Sequence, residues 1–251
     1  MKKILIAFSL LMIVQGATAQ EEEAEAKVEP QPARNRYTVK WNPASLAFGK
    51  LGLSGEYSLK PKRSITFGIG IPMESSLNVA VDDAEDDLSI KTFSVMAGYR
   101  MYLGRKPMTG AYFEPYLKYV KNDLTGTVEG ELDNSPTTFV AGSSYKGMGL
   151  GAQLGVQFMI AKRVVFDFFF LGPEANVTKH TFSLRDITTV GPWDAQDAAD
   201  AEKEIRDALD EIPVLRDKLD VTVDAASKTV SSHYKGFLPG FRFGLTIGVH
   251  F

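Results

Sequence analysis

Cysteine is absent from all 251 residues. This excludes disulfides, thiolate metal centres, cysteine nucleophiles and a lipid-modified N-terminal cysteine. Beyond the first twenty residues no stretch offers 18 consecutive apolar side chains, so no transmembrane helix is expected in a mature chain. An excess of basic residues is also missing. Lys and Arg number 28 against 31 Asp and Glu, which argues against nucleic acid as a partner. The acidic run "DDAEDDLS" (82–89) lacks the glycine and ligand spacing of a calcium loop. No cofactor-binding or metal-ligating pattern is read elsewhere, so neither is expected.

The first residues, "MKKILIAFSLLMIVQGATAQ", do carry a pattern. Lys2 and Lys3 form a basic start, Ile4 to Val14 an apolar stretch, and Ala17-Thr18-Ala19 a small-residue cleavage site. That is a secretory signal peptide, expected to be cleaved after Ala19. Its apolar run falls short of the ~20 residues of a spanning helix. Residues 20–36 are charged and proline-containing, and read as a flexible leader outside the fold.

From residue 37 the dominant signal has period two. At the C-terminus Phe241, Phe243, Leu245, Ile247, Val249 and Phe251 alternate with Arg242, Gly244, Thr246, Gly248 and His250. Successive side chains of a strand point to opposite faces, so this is one strand with an apolar and a polar face. The same reading gives eight strands, near 37–42, 46–59, 64–72, 91–104, 111–122, 146–160, 164–176 and 238–251. Only Phe169 and Leu171 spoil the alternation in the seventh. Connections at 60–63, 104–110 and 161–163 are short, whereas 73–90, 123–145 and 177–237 are long. Long connections on one side and short ones on the other mark an up-and-down barrel.

Bulk decides which face is outside. The apolar faces carry about three dozen large side chains, while an eight-stranded barrel has an interior only just wide enough to be filled. The apolar face therefore belongs outside, against lipid, and the sheet must close because lipid cannot satisfy a free edge. The expected fold is all-β: an eight-stranded antiparallel up-and-down transmembrane β-barrel over 37–251, with a helical insert in its last long loop. A soluble barrel with the apolar face turned inward is the competing arrangement.

The stretches "NPASLAFGKLGLSGEYSL", "FEPYLKY" and "GFLPGFRFGLTIGVHF" resemble a family of exported bacterial outer-membrane barrels of unknown function. The resemblance covers most of 37–251. It implies location in the cell outer membrane, contact with outer-membrane lipid, and insertion by the barrel-assembly machinery. On it, Phe241, Phe243, Leu245, Ile247, Val249 and Phe251 form the terminal assembly signal. It carries no activity.

Interior-parity charges are Lys40, Glu56, Arg100, Glu114, Lys118, Asp167 and Arg242. Buried charges are costly unless paired, so they are expected to neutralise one another as a plug; a gated ion path is the sharper alternative. His250 is expected to be structural at the rim. His180 with Ser183 and Asp186, and His233 with Ser231 and Ser232, lie close in sequence and are the candidates for a catalytic group.

Residues 194–220 repeat Ala198, Ala201, Ile205, Ala208, Ile212, Leu215 and Leu219 at three- and four-residue steps. This predicts an amphipathic helix with Asp194 as N-cap and a break at Pro213. The stripe packs on neighbouring loops, or else Ile205, Ile212, Leu215 and Leu219 offer a surface to an extracellular protein partner. The leading expectation is a non-enzymatic outer-membrane barrel with an envelope-structural or surface-interaction role through its extracellular insert at 177–237. Alternatives are an envelope lipid-modifying enzyme with a rim histidine and a narrow solute pore.

Overall fold

The computed structural model describes residues 36–251 apart from 74, 82–83, 105, 133–134 and 211–219. Almost all of the expected signal peptide and leader, and the positions Ile212, Leu215 and Leu219, therefore lie outside the described residues. Ten strands are described: β1 (Tyr37–Asn42), β2 (Lys50–Lys60), β3 (Arg63–Pro72), β4 (Ser75–Val81), β5 (Ala84–Tyr102), β6 (Gly110–Leu132), β7 (Ser135–Ile160), β8 (Val164–Asp186), β9 (Asp220–Asp224) and β10 (Thr229–His250). They form one antiparallel sheet. In it β1, β2, β3, β5, β6, β7, β8 and β10 follow one another, and β10 returns to β1. A ring of eight strands results. β4 extends the β3 side of the hairpin with β5, and β9 folds back on β10.

The ring has two unlike ends. Tight connections after β2, β5 and β7 lie at the turn end, beside the β1 start and the β10 finish. At the other, hairpin end, strands run on well past the ring's middle. The long connections anticipated at 73–90 and 123–145 are mostly strand, and 177–237 is strand as far as Asp186 and again from Thr229. The reason is chemical. Beyond the apolar band these strands carry Thr, Ser and charged residues on both faces, as in Lys121-Asn122-Asp123 opposite Ser144-Tyr145-Lys146. Pairing persists there while the alternation that reveals it disappears. The insert proper is thus residues 187–228.

One further boundary differs from expectation. The second strand begins at Lys50, not at 46. Residues Pro43–Phe48 form a 3₁₀ turn, held by Ser45, whose hydroxyl donates to the Asn42 carbonyl (2.6 Å) and accepts from the Gly52 amide (2.7 Å). Gly49 ends this turn at φ +63, where any Cβ would strike the Ile90 carbonyl. Its own carbonyl accepts from the Met73 and Thr92 amides, tying the turn to β3 and β5. The helix, α1, spans Ala195–Asp210.

Polarity is inverted relative to a water-soluble ring. Outside, Val39, Ile65, Phe67, Leu117, Leu150, Phe158, Phe168, Phe170, Val177, Phe241 and Val249 are exposed, and Phe243 is 75 % exposed. Inside, Lys40, Glu56, Arg100, Glu114, Gln153, Gln157 and Asp167 are buried, none more than 4 % exposed. The irregularity at Phe169 and Leu171 is a β-bulge. Opposite β7, Leu154 pairs with Leu171 but the next residue, Gly155, pairs with Phe169. The extra residue lets Phe170 and Leu171 both face outward, and it switches the inward set from Val165, Asp167 and Phe169 to Glu174, Asn176 and Thr178.

β1 is short, and this shapes the seam. It pairs with β10 only from Thr38↔His250 to Trp41↔Ile247, and β9 covers β10 only at Thr229 to His233. Over residues 234–246 β10 has β8 on one side and, among the described residues, no strand on the other. The turn Pro43–Phe48 lies beside this edge instead.

Closure depends on close backbone approach at Gly248, where a Cβ would collide with the Val39 carbonyl and Lys40. Gly248→Val is therefore expected to cost about 1–3 kcal/mol, as overpacking does, and to lower the fraction that refolds in detergent to the heat-modifiable form. Gly55→Ala, where a Cβ meets nothing within 4 Å, should refold as the parent does.

Candidate functional site

Seven of the eight ring strands send side chains to one level of the interior. Lys40 on β1 donates to Glu56 Oε2 at 2.7 Å, Asp167 Oδ2 at 2.8 Å and Gln157 Oε1 at 2.5 Å. Arg100 on β5 uses Nε on Glu114 Oε2 (2.8 Å) and one terminal nitrogen on Asp167 Oδ2 and Gln157 Oε1, both at 2.8 Å. Glu56 Oε1 also accepts from Ser64 and Tyr102, each at 2.6 Å. Tyr112 donates to Asp167 Oδ1 at 2.6 Å, Gln153 to Glu114 at 2.9 Å, and Thr66 to Glu114 Oε1. Two cations thus hold three carboxylates together, and neutral donors supply the remaining bonds, the condition under which buried charge is tolerated.

The turn end beneath this network is sealed. Met108, from the β5–β6 connection, packs with Tyr102, Tyr112 and Met159, and its carbonyl accepts from Gln157 at 2.8 Å. Arg100 lies flat over Tyr112, 3.7 Å from the ring centroid, adding a cation–π contact.

Of the seven expected interior charges, five meet here: Lys40, Glu56, Arg100, Glu114 and Asp167. Lys118 and Arg242 do not join them. Both stand one level toward the hairpin end, because their strand positions lie four residues beyond those of the plug (Glu114 on β6, Thr246 on β10). Lys118 pairs with Glu174, a residue whose inward position the bulge conceals from simple parity. Arg242 lies 4.6 Å from the Phe169 centroid and 5.4 Å from that of Tyr116, and touches Met96. Sequence parity could also have found Tyr112 and Tyr116, which share the inward set with Glu114 and Lys118. Lys50 could have been found in the same way, since it shares the parity of Gly52, Ser54 and Glu56.

Lys50, Lys118, Arg242 and Glu174 line a cavity of about 530 Å³ whose floor is the plug. Its floor cations, Lys40 and Arg100, are held by the plug's three carboxylates; above them Lys50, Lys118 and Arg242 face Glu174 alone among the lining carboxylates, so the chamber favours anions.

The rim histidines are engaged separately. His180 Nε2 lies 2.9 Å from the Ser143 hydroxyl, and His233 Nδ1 lies 3.4 Å from that of Thr181. Among the described residues no hydrogen bond joins His180 to Ser183 or Asp186. Burial lowers the His180 pKa. His250 accepts or donates one bond with Thr38 at 3.1 Å.

Asp186 instead organises the insert. Its Oδ1 accepts from the Thr188 and Thr189 amides (2.7 and 3.0 Å) and its Oδ2 from the Trp193 indole (2.9 Å). Trp193 packs with Phe139, Val230 and Ala201 of α1 in a small core. The expected N-cap is present, with Asp194 Oδ1 accepting from the Gln196 and Asp197 amides at 2.8 and 2.9 Å. Ala201, at least, packs on the chain's own hairpins; of the candidate partner surface, Ile205 falls within α1 with its side chain outside the described residues, and Ile212, Leu215 and Leu219 lie outside them altogether.

Two outcomes follow from these contacts. Arg100→Met strands buried carboxylates and is expected to cost about 3–5 kcal/mol, read as a lower urea midpoint in detergent; Tyr112→Phe should cost about 1–3 kcal/mol. At Asp186, burial pushes the carboxyl up, but hydrogen bonds from Thr189, Trp193 and Thr188 outweigh it and hold the pKa at about 2. A depressed carboxyl stabilises above its ordinary value near ~4 and loses that contribution as pH falls through the folded value. Trp193 fluorescence in a Trp41→Phe background should therefore report loosening of the insert between about pH 4 and pH 2. Asp186→Asn should abolish that step.

No protein-family model matches the chain, and no characterised protein matches its sequence; the functional reading rests on the residues and their geometry.

Proposed function

We propose that the chain is an exported, non-enzymatic eight-stranded transmembrane β-barrel of the cell outer membrane, closed to solutes by its ion network. On this reading it acts in envelope structure or surface interaction through the insert at 187–228. The observation that carries it is the inverted polarity: large apolar side chains exposed on the outer face, ionised side chains buried within. A protein in water buries the first and exposes the second, whereas lipid reverses the preference. The apolar band also ends where a membrane surface would require it. At the hairpin end, Lys121, Lys146, Lys179 and Lys235 stand in register across β6, β7, β8 and β10, one outward step beyond Tyr119, Met148, Val177 and Phe237. Lysine stems can cover apolar surface there while the ammonium groups reach head-group phosphates. At the turn end Tyr37 and Tyr57 stack with centroids 4.9 Å apart, in the position of an aromatic girdle.

The buried plug favours a closed barrel over a pore. The separate engagements of His180 and Asp186 favour a binding or structural role over catalysis. The basic, apolar, small-residue pattern of the first 19 residues supports export, and both chain ends of the ring share the turn end, which puts the insert on the cell exterior if that end faces the periplasm.

Phe168→Arg puts a charge at mid-band and should cost roughly 2–4 kcal/mol, with less protein floating with lipid vesicles after refolding. Planar bilayers containing the parent should show no discrete conductance. A parent chain that stays monomeric in detergent-free buffer and does not float with vesicles would overturn the membrane reading. Replacing 195–219 by a short Gly/Ser linker should leave heat-modifiable folding intact, since loop length alters closure entropy only slowly. Loss of a surface phenotype in that variant is the result expected of a docking insert.

A further inference from the structure

The chamber above the plug and the uncovered edge of β10 are one feature. The cavity is bounded on one side by consecutive residues of β10, Phe241 to Gly244, and on the other by the turn residues Ala44, Ser45 and Phe48. Phe48, Phe241 and Phe243 line it and are at the same time exposed on the outer apolar face. The interior therefore communicates sideways with the band that contacts lipid, at the place where the short β1 leaves β10 without a strand partner.

The chamber itself lacks something anionic. Lys40 and Arg100 are already held by Glu56, Glu114 and Asp167; above them Lys50, Lys118 and Arg242 face Glu174 alone among the lining carboxylates, so positive charge is in excess there. Lys118 has Glu174. Lys50 has only the Ser94 hydroxyl at 3.4 Å, and no carboxylate lies within salt-bridge distance of Arg242 among the described residues. Polar atoms are orphaned here as well. Asn42 Oδ1, Gln153 Oε1 and Thr246 Oγ1 are buried without a hydrogen-bond partner, and all three residues line this cavity. Buried polar groups normally find partners, so three orphans in one chamber point to a ligand or to water that completes them. Excess positive charge decides for an anionic group. A volume of about 530 Å³ falls in the range that accommodates one drug-sized ligand, roughly 300–1,000 Å³.

We propose that this chamber binds a single-chain anionic amphiphile. Its carboxylate or phosphate head sits among Lys50, Lys118 and Arg242, and its hydrocarbon chain leaves between β10 and the turn Pro43–Phe48 into the apolar band. Arg242 is suited to the head, because its guanidinium lies over Phe169 with no carboxylate partner and only the weakly accepting Met96 sulfur at one terminal nitrogen, which an oxyanion can outcompete. The hydrocarbon chain explains the lateral opening, which a purely polar ligand arriving from the hairpin end would not need. A second copy of the chain pairing along the bare β10 edge would cover that edge but leave the excess charge unmet. The inference rests on the outer face being lipid-facing and adds the ligand class.

The test uses the full mature chain refolded in a non-ionic detergent and stripped of lipid. Laurate and dodecyl phosphate are the probes, with dodecanol and inorganic phosphate as the tail-only and head-only controls. Saturable binding of either anionic probe, at least tenfold tighter than both controls, is expected, and the tighter of the two names the head group. Arg242→Gln and Lys50→Gln should each weaken it about tenfold or more, whereas Glu174→Gln should tighten it by removing an acid from the chamber. Because the last change is a gain, it stays informative should the others refold poorly. The chain has no native cysteine, so Phe243→Cys can be alkylated with a bulky maleimide, which should slow association severalfold. Binding no tighter than dodecanol, full competition by inorganic phosphate, or unchanged affinity in both Arg242→Gln and Lys50→Gln would overturn the proposal. So would a stable dimer that excludes the probe. Since binding is read in detergent, a protein that floats with vesicles yet binds no probe would sink this inference alone and leave the membrane reading standing.

Discussion

Everything in the ring's interior depends on Arg100 and Lys40 having carboxylates to hold. Water solvates none of these groups, so each must find its bonds within the protein. The solution draws on β1, β2, β3, β5, β6, β7 and β8 at once, and Asp167 Oδ2 alone accepts from both cations. Such a network is satisfied only when all those strands are in register. A slip by one residue would turn each charge outward and bring an aromatic inward. The polar interior therefore specifies the register that the outer face, apolar throughout, could not distinguish by itself.

The short β1 is the counterpart of that specification. It supplies Lys40 to the plug and closes the ring over four paired residues, and then the chain leaves the sheet at Pro43. A longer first strand would cover β10 as far as the hairpin end and wall off the chamber. The 3₁₀ turn, pinned by Ser45 and Gly49, leaves that wall incomplete without letting the seam unravel. At the turn end Met108 is tucked beneath the network, whereas the β10 edge is left uncovered at the side. On the proposed reading this asymmetry makes the interior a pocket closed at its turn end.

How much of this could be read from residues alone follows from where lipid-type polarity operates. Along the apolar band the two faces differ sharply, so the eight ring strands, their order and the inward set Lys40, Glu56, Arg100, Glu114 and Asp167 follow from period two. Past the band both faces are polar. The contrast vanishes, and paired strand at Thr125 or Thr181 looks like loop. The bulge at Phe170–Leu171 is a local instance of the same limit. One extra residue inverts parity and hides Glu174, the partner of Lys118. Pro43–Phe48 misleads in the opposite sense, since Leu46 and Phe48 alternate with Ala47 and Gly49 as a strand would, although they sit on the parity opposite to Leu51 and Leu53 and the backbone there is a turn. The N-cap at Asp194 was legible because its signal is local chemistry and does not depend on faces.

The division of labour along the axis bears on what kind of work the molecule can do. The plug and the band are mutually dependent and leave little room for motion, because shifting any of the seven strands that feed the network breaks a bond within it. The insert is organised by a separate centre, Asp186 with Trp193, which shares no residue with the plug. Loosening one therefore need not disturb the other. Between these two centres lies the chamber, bordered by the rigid floor below and by the uncovered β10 edge at its side. A ligand held there would bond to side chains of the fixed scaffold, Arg242 and Lys118, and would emerge beside a stretch of β10 that has no strand neighbour on that side among the described residues. Affinity in such an arrangement comes from preorganised charge, and access comes from the missing strand. The first is set by residues that the plug keeps in place, and the second by the six-residue length of β1.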